Sequence, residues 1–411
     1  MSQLKLPTLD DIDVSGKKVL LRVDFNSPVG DNEELLDDSR IRAHVPTIKE
    51  LLERGAAVVV VSHQGRPGES DFITLEPHAA KLSALLGQSV QFVEDVMGPE
   101  ARRRIKNLKP GEVLLLDNVR FLAEENINAP PEVQEKTYLV RRLAKLFDYY
   151  VNDAFATAHR SQPSIVGFPM VLPSVMGRLM QKEVEALSKI FNPKVSPKVF
   201  VLGGGKVPDS LSIIENIVEN KVADRILTTG LLSELFLVAK GIDLGESNMK
   251  FLEKKGILSL VPKARKLLLS GAPIDVPLDF VTVDEEGNVK VEPAYNVTGL
   301  IRDIGPATIR SYSELIKEAK VVVMRGPAGV MEDPRFRKGT KELVRAALES
   351  GAFTIFGGGH LTAVIEELGM KDRVGHISTG GGALLAFLSG KELPALKALE
   401  ISARKFGLIK G

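Results

Sequence analysis

Short, uninterrupted apolar runs recur along the whole chain, and each one breaks into loop-forming residues. The clearest spans residues 56–61, which empty into Ser62-His63-Gln64-Gly65-Arg66-Pro67. Residues 18–23, 90–93, 113–116 and 149–151 behave in the same way in the first half, and 199–202, 225–228, 320–324 and 353–356 do so in the second. A strand with one wet face alternates apolar and polar residues, whereas a strand that is apolar throughout is buried on both faces. Segments with helical spacing separate the runs, at 40–52, 77–86 and 133–146. Strand and helix in alternation predict an α/β fold with parallel sheets flanked by helices.

A chain of 411 residues has room for two or three domains. Pro163, Pro169 and Pro173 close the first half. From Ser174 onward, Met176, Leu179, Met180, Val184, Leu187 and Ile190 are spaced as in a helix of about four turns, a connector that ends at Pro193 and Pro197. This reading divides the chain into a domain at 1–172, an interdomain helix at 173–192 and a second domain at 193–394. A net charge of +1 provides no general attraction for nucleic acid or anionic membrane, so any basic site must be local. With no cysteine there is no disulfide, thiolate zinc site or cysteine nucleophile, and a reducing compartment fits. Residues 1–10 are polar, and no stretch approaches the roughly 18 apolar residues of a membrane span. A cytoplasmic protein without membrane or nucleic-acid partners is expected.

In parallel sheets, ligands sit off the carboxyl ends of the strands. The first half puts Asp24 and Asn26 after its first run, Arg40 in the loop region that follows, and Arg66, Arg120 and Arg160 after later ones. One arginine on a loop is ordinarily solvated surface. Several on one sheet edge form a set of guanidinium forks suited to carboxylate and phosphate oxygens, and so to a small polyanion.

The second half fills the equivalent loops with glycine. Gly203-Gly204-Gly205-Lys206, Gly357-Gly358-Gly359-His360 and Gly380-Gly381-Gly382 each follow a strand, and Arg325-Gly326-Pro327-Ala328-Gly329 follows another. The first is no Walker A loop, because Phe200 stands where a glycine is needed and Val207 where Ser or Thr would hold magnesium. Nor is it a dinucleotide fingerprint, since Pro208 replaces the third glycine. Any one such loop could be a plain tight turn. Three together, two of them leading into helices whose free N–H groups favour anions, suit a nucleotide polyphosphate.

A small-anion domain and a polyphosphate domain joined by one helix are what phosphoryl transfer requires. The motifs resemble those of phosphoglycerate kinases, in that family's order and over nearly the whole chain. They are Arg22-Val23-Asp24-Phe25-Asn26, Ser62-His63-Gln64-Gly65-Arg66-Pro67, Asp117-Asn118-Val119-Arg120-Phe121, Asn152-Asp153-Ala154-Phe155 with Ala158-His159-Arg160, Gly203-Gly204-Gly205-Lys206-Val207, Gly326-Pro327-Ala328-Gly329-Val330-Met331-Glu332 and Ser378-Thr379-Gly380-Gly381-Gly382-Ala383. The resemblance implies two Rossmann-like domains joined by a hinge helix, with residues 395–411 packing back onto the first domain. It also implies reversible transfer of the acyl phosphate of 1,3-bisphosphoglycerate to ADP as its Mg2+ complex, giving 3-phosphoglycerate and ATP; a monomer is expected.

By the same resemblance, Asp24, Asn26, Arg40, His63, Arg66, Arg120 and Arg160 hold the phosphoglycerate. Arg40 and Lys206, with the backbone at Gly359 and Gly382, surround the phosphoryl group in flight. Gly203, Gly204, Lys206, Glu332, Gly358, Gly359, His360 and Leu361 hold the nucleotide, with Glu332 on the ribose. Two positions depart from the family pattern. His360 stands where Asp is usual, a soft ligand for hard magnesium, so no metal ligand is named. Ser210 stands where a second lysine is common. These departures are compatible with an archaeal-type branch. Two other readings are a kinase of a different acyl phosphate and a two-lobed ligand-binding protein. The latter would normally bring a secretion signal and has no use for glycine loops in one lobe only.

Overall fold

Along the run at 57–61, the side chains point alternately into two cores. Val58 and Val60 join one apolar cluster, while Ala57, Val59 and Val61 join the other. Both faces of the sheet are therefore covered, which is why the run has no polar alternation. Burying each valine contributes about 1.5–3 kcal/mol. The structure, a computed structural model, describes residues 6–409; part of the polar N-terminal stretch and the last two residues of the 395–411 segment lie outside it.

The chain divides into two units, one running to Glu185 and resuming at Glu392, the other formed by Ala186–Lys391. In the first unit the order is β1 (Lys18–Arg22), α1 (Ser39–Glu53), β2 (Ala57–Val61), α2 (Glu76–Leu86), β3 (Gln91–Val93), α3 (Pro99–Asn107), β4 (Val113–Leu116), α4 (Pro131–Gln134), α5 (Tyr138–Leu143), β5 (Tyr149–Asn152) and β6 (Ser174–Met176). They form a six-stranded sheet in the order β3-β4-β2-β1-β5-β6, parallel at every pairing. Helix α6 (Arg178–Ile190) has residues in both units.

The second unit contains β7 (Lys198–Leu202), α7 (Val207–Glu219), β8 (Arg225–Thr228), α8 (Gly230–Ala239), α9 (Glu246–Lys254), α10 (Val261–Leu269), β9 (Ile274–Asp275), β10 (Asp279–Val283), β11 (Val289–Pro293), β12 (Leu300–Ile304), α11 (Pro306–Lys317), β13 (Val321–Arg325), α12 (Lys338–Glu349), β14 (Phe353–Gly357), α13 (Gly359–Leu368), β15 (His376–Ile377) and α14 (Gly381–Leu388). Its main sheet, β15-β14-β13-β7-β8-β9, is again six-stranded and parallel. Helix α15 (Pro394–Lys405) returns to the first unit, where Ser402 Oγ donates to Leu172 O at 2.8 Å and Ala395 N to Ala158 O at 3.1 Å. Among the described residues no helix is long and apolar enough to cross a membrane.

Four local features differ from the sequence reading. The helix expected from Ser174 starts at Arg178, because Ser174, Val175 and Met176 pair with Tyr150, Val151 and Asn152 as an edge strand. The helix expected over 133–146 is broken: Gln134 Nε2 donates to Ile127 O and Ser161 O, and Thr137 is extended, so tertiary contacts interrupt its backbone ladder. Arg40 lies in the first turn of α1 rather than in a loop. A three-stranded antiparallel sheet, β11-β10-β12, went unrecognised: its strands interleave apolar with charged residues, as in Val289-Lys290-Val291-Glu292 and Leu300-Ile301-Arg302-Asp303, and none is an unbroken apolar run.

Candidate active site

In the first unit the arginine edge is real and denser than expected. Arg40 pairs with Asp24, Arg120 Nη1 donates to Gly65 O, and Asn26 Oδ1 accepts from Gly65 N at 2.8 Å. Arg66 is exposed just beyond Gly65. Burial, then the charges of Arg160, Arg22 and Arg66, push Arg120 down to about 10. Arg160 is lowered by burial and then by Arg22, and its Nη1 is buried with no partner among the described residues. Burial, then the charges of Arg22, Arg120, Arg160 and Arg40, hold His63 well below the usual imidazole range. Like charges crowded in this way suit an anion that would neutralise them.

Arg22 was not singled out as a site residue, and it lies at the centre of this set. At the last residue of β1 and 0% exposed, it places Nε 2.8 Å from Ser164 Oγ and a second nitrogen 3.3 Å from His63 Nδ1, with Glu125 at 4.0 Å. In the sequence it reads as a strand-end cation indistinguishable from Lys18. The Glu125 and Ser164 that make it an internal brace come from distant segments.

In the second unit the three glycine loops line one cavity of about 760 Å³, the size of a ligand site. Gly203, Gly204, Lys206, Glu332, Gly358, Gly359, His360, Leu361 and Gly382 all lie on its wall. Their roles differ. The Gly203 N–H donates to Arg325 O at 2.9 Å and the Gly204 N–H to Pro327 O at 2.8 Å, so neither is left for a ligand. A Cβ on Gly203 would fall 2.2 Å from Thr229 Oγ1, and one on Gly326, at φ +83, 2.3 Å from Gly203 O. These glycines interlock the ends of β7 and β13 and shape the floor.

Gly358, Gly359 and Gly381 have open space where a Cβ would stand. They lead into α13 and α14, whose first N–H groups have no carbonyl within their helix to reach. Helix starts of this kind are suited to an anion. Lys206, N-terminal to α7, is exposed and free of any ion pair among the described residues. Arg325, 3.6 Å from Asp209, and Arg302 add cationic groups that the sequence reading left without a role. Ser210 is buried in the first turns of α7.

Basic groups gathered at one parallel sheet and a glycine-floored cavity at another fit a phosphoryl-transfer protein of the two-unit α/β kind. The family model for phosphoglycerate kinase matches residues 9–391, and the chain belongs to that family. It is 58% identical over 408 residues to a phosphoglycerate kinase of Saccharolobus solfataricus, covering 99% of this chain and 100% of the relative. Its structure is similar to that of the Pyrococcus horikoshii enzyme, with a TM-score of 0.87 at 46% identity over 98% of this chain and 100% of the other. It is also similar to the Coxiella burnetii enzyme, with a TM-score of 0.81 at 33% identity, covering 96% and 98%. The chain is accordingly a phosphotransferase with a carboxyl group as acceptor, and the relatives it matches are consistent with an archaeal-type member.

Proposed function

We propose that the arginine edge of the first unit holds 3-phosphoglycerate or 1,3-bisphosphoglycerate through Asp24, Asn26, Arg40, His63, Arg66, Arg120 and Arg160, and that the second unit's cavity holds ADP or ATP. Phosphates rest on the N–H groups starting α13 and α14, at Gly359, His360, Leu361 and Gly382, while Glu332 takes the ribose hydroxyls. Gly203 and Gly204 shape that surface, and Gly358 lets the chain turn into α13. The observation that carries the reading is that cations crowd together in one unit while the other has helix N–H groups with no carbonyl in their own helix to reach.

The acceptor carboxylate is already an anion, so transfer needs neutralisation and alignment and no general base. Arg40 and Lys206 supply charge to the phosphoryl group in flight, and Arg325 is placed to take over part of the work of the lysine that is absent at Ser210. Closure about α6, which belongs to both units, would bring the two substrates in line and exclude water. The nucleotide enters as its Mg2+ complex. His360 suits magnesium poorly, so no protein ligand is named for it, and phosphate oxygens and water would carry the cation. The reading has the enzyme act as a monomer in the cytoplasm, with no nucleic-acid or membrane partner.

Coupled detection of ATP formed from ADP and 1,3-bisphosphoglycerate tests the roles. Arg40→Ala and Lys206→Ala should each lower kcat by two or more orders of magnitude with the fold intact by circular dichroism. Near-wild-type turnover in either variant defeats the assignment.

A further inference from the structure

Glu234 has no part in the phosphate and ribose contacts above. It follows Leu231 by one turn on α8, is 3% exposed, and lines the same cavity. Among the described residues its carboxyl has neither a hydrogen bond nor an ion pair, and burial alone acts on it. Leu231, Phe251, Leu300 and Ile301 make that side of the cavity apolar. A buried carboxyl without a partner is unfavourable, so its presence in a ligand cavity points to a partner that arrives with the ligand. With the helix starts taken by phosphates, the part of a nucleotide that fits an apolar slot and offers fixed donors and acceptors is its base.

Resting on the assignment of this cavity to the nucleotide, we propose that Glu234 reads the Watson–Crick edge of the purine base and sets the choice between adenine and guanine nucleotides. Burial pushes this carboxyl up to about 8, so near neutral pH it is an acid. In that form its O–H donates to adenine N1 while its C=O accepts from the N6 amino group. Ionised, it has no hydrogen to give and opposes the N1 lone pair. Guanine instead offers N1–H and N2–H side by side, two donors that an ionised carboxylate accepts together.

The charged and titratable groups on the cavity wall are Lys206, Asp209, Arg302, Arg325, Glu332 and His360, and none offsets the burial of Glu234. On the helices packed against α8, Lys263 of α10 pairs with Glu215 of α7, and Arg265 Nε donates to Ala239 O. Asp303 at the end of β12 accepts from Ile304 N and Gly339 N.

The test is calorimetric binding of magnesium ADP and magnesium GDP to the whole protein at pH 6.5, 7.5 and 8.5, for wild type, Glu234→Gln and Glu234→Leu. The neutral fraction of a group titrating near 8 falls from about 97% to about 24% over that range. The wild-type preference for ADP over GDP should therefore fall about fourfold or more, and both variants should show a preference that does not change with pH. A flat wild-type preference overturns the proposal, as does the wild-type slope surviving in either variant. Glu332→Ala and Lys206→Ala separate the underlying assignment: if both leave ADP and GDP affinity unchanged, the cavity is not the nucleotide site. If both weaken the two nucleotides alike while the wild-type preference stays flat, the role of Glu234 alone fails.

Discussion

His44 Nδ1 and Asp153 Oδ2 lie 2.7 Å apart, with both side chains buried in the first unit. His44 Nε2 already accepts the Asp24 N–H at 3.0 Å, so the ring hydrogen is on Nδ1 and is donated to Asp153. The other oxygen of Asp153 accepts from Thr47 Oγ1 at 3.0 Å and from Leu179 N at 2.9 Å. One carboxylate following β5 therefore ties α1, which carries Arg40, to the first turn of α6. Gly177 leaves it room, since a Cβ there would fall 2.1 Å from Asp153 Oδ1.

Asp153→Ala strands the His44, Thr47 and Leu179 donors at once. Unfolding by urea should show a loss of about 3 kcal/mol or more. Through α1, the KM for 3-phosphoglycerate should rise as well. A loss under about 1 kcal/mol would show that the contact does not hold these helices together.

The glycine loops should respond in opposite ways. Gly203→Ala drives a methyl into Thr229 and Pro327, and its main effect should be on stability, about 2 kcal/mol or more. Gly359→Ala meets open space and should leave the melting temperature nearly unchanged while weakening ATP binding, because the methyl stands beside the N–H groups that meet phosphate. Equal effects on stability would contradict the division between floor and cradle.

Arg160 is a binding group whose charge is unfavourable in the free protein. Replacing it with methionine removes a buried, unpartnered nitrogen from among like charges. Stability should hold or rise by about 1 kcal/mol, while the KM for 3-phosphoglycerate rises tenfold or more. A large drop in stability would mean that Arg160 braces the fold instead.

His78, buried on α2, donates from Nε2 to Gln64 Oε1 at 2.9 Å, and burial lowers it to about 4. Its folded pKa lies below the unfolded value near 6.5, so between those values the unfolded chain binds a proton that the folded protein declines. Its stabilising contribution is complete above pH 6.5 and is lost as pH falls toward 4. Relative to His78→Leu, the wild type should lose up to about 3 kcal/mol across that window, measured by urea unfolding from pH 7.5 to 4.5. A constant difference would show that His78 is protonated inside the fold.

Where the sequence reading failed, long-range contacts overrode local pattern. Ser174, Val175 and Met176 lie in an amphipathic stretch, yet pair as a strand with β5. Residues 133–146 have helical spacing, yet Gln134 is drawn to Ile127 and Ser161. Arg22 and Glu234 were passed over because a strand-end arginine and a glutamate on a helix are ordinary surface residues until burial is known.

By itself the sequence determined the two parallel sheets and which loops leave their carboxyl ends, because apolar period and turn residues are local properties that survive without coordinates. It also determined the sorting of arginines to the first half and glycine loops to the second. Only the tertiary structure decided which glycines have N–H groups to give. Gly203 and Gly204 look like Gly358 and Gly359 in sequence, but their hydrogen bonds go to Arg325 and Pro327, more than a hundred residues away, whereas the helix starts at Gly359 and Gly381 have no such neighbour among the described residues. A backbone group is a ligand site only when nothing else in the fold satisfies it, and that depends on contacts no local stretch encodes.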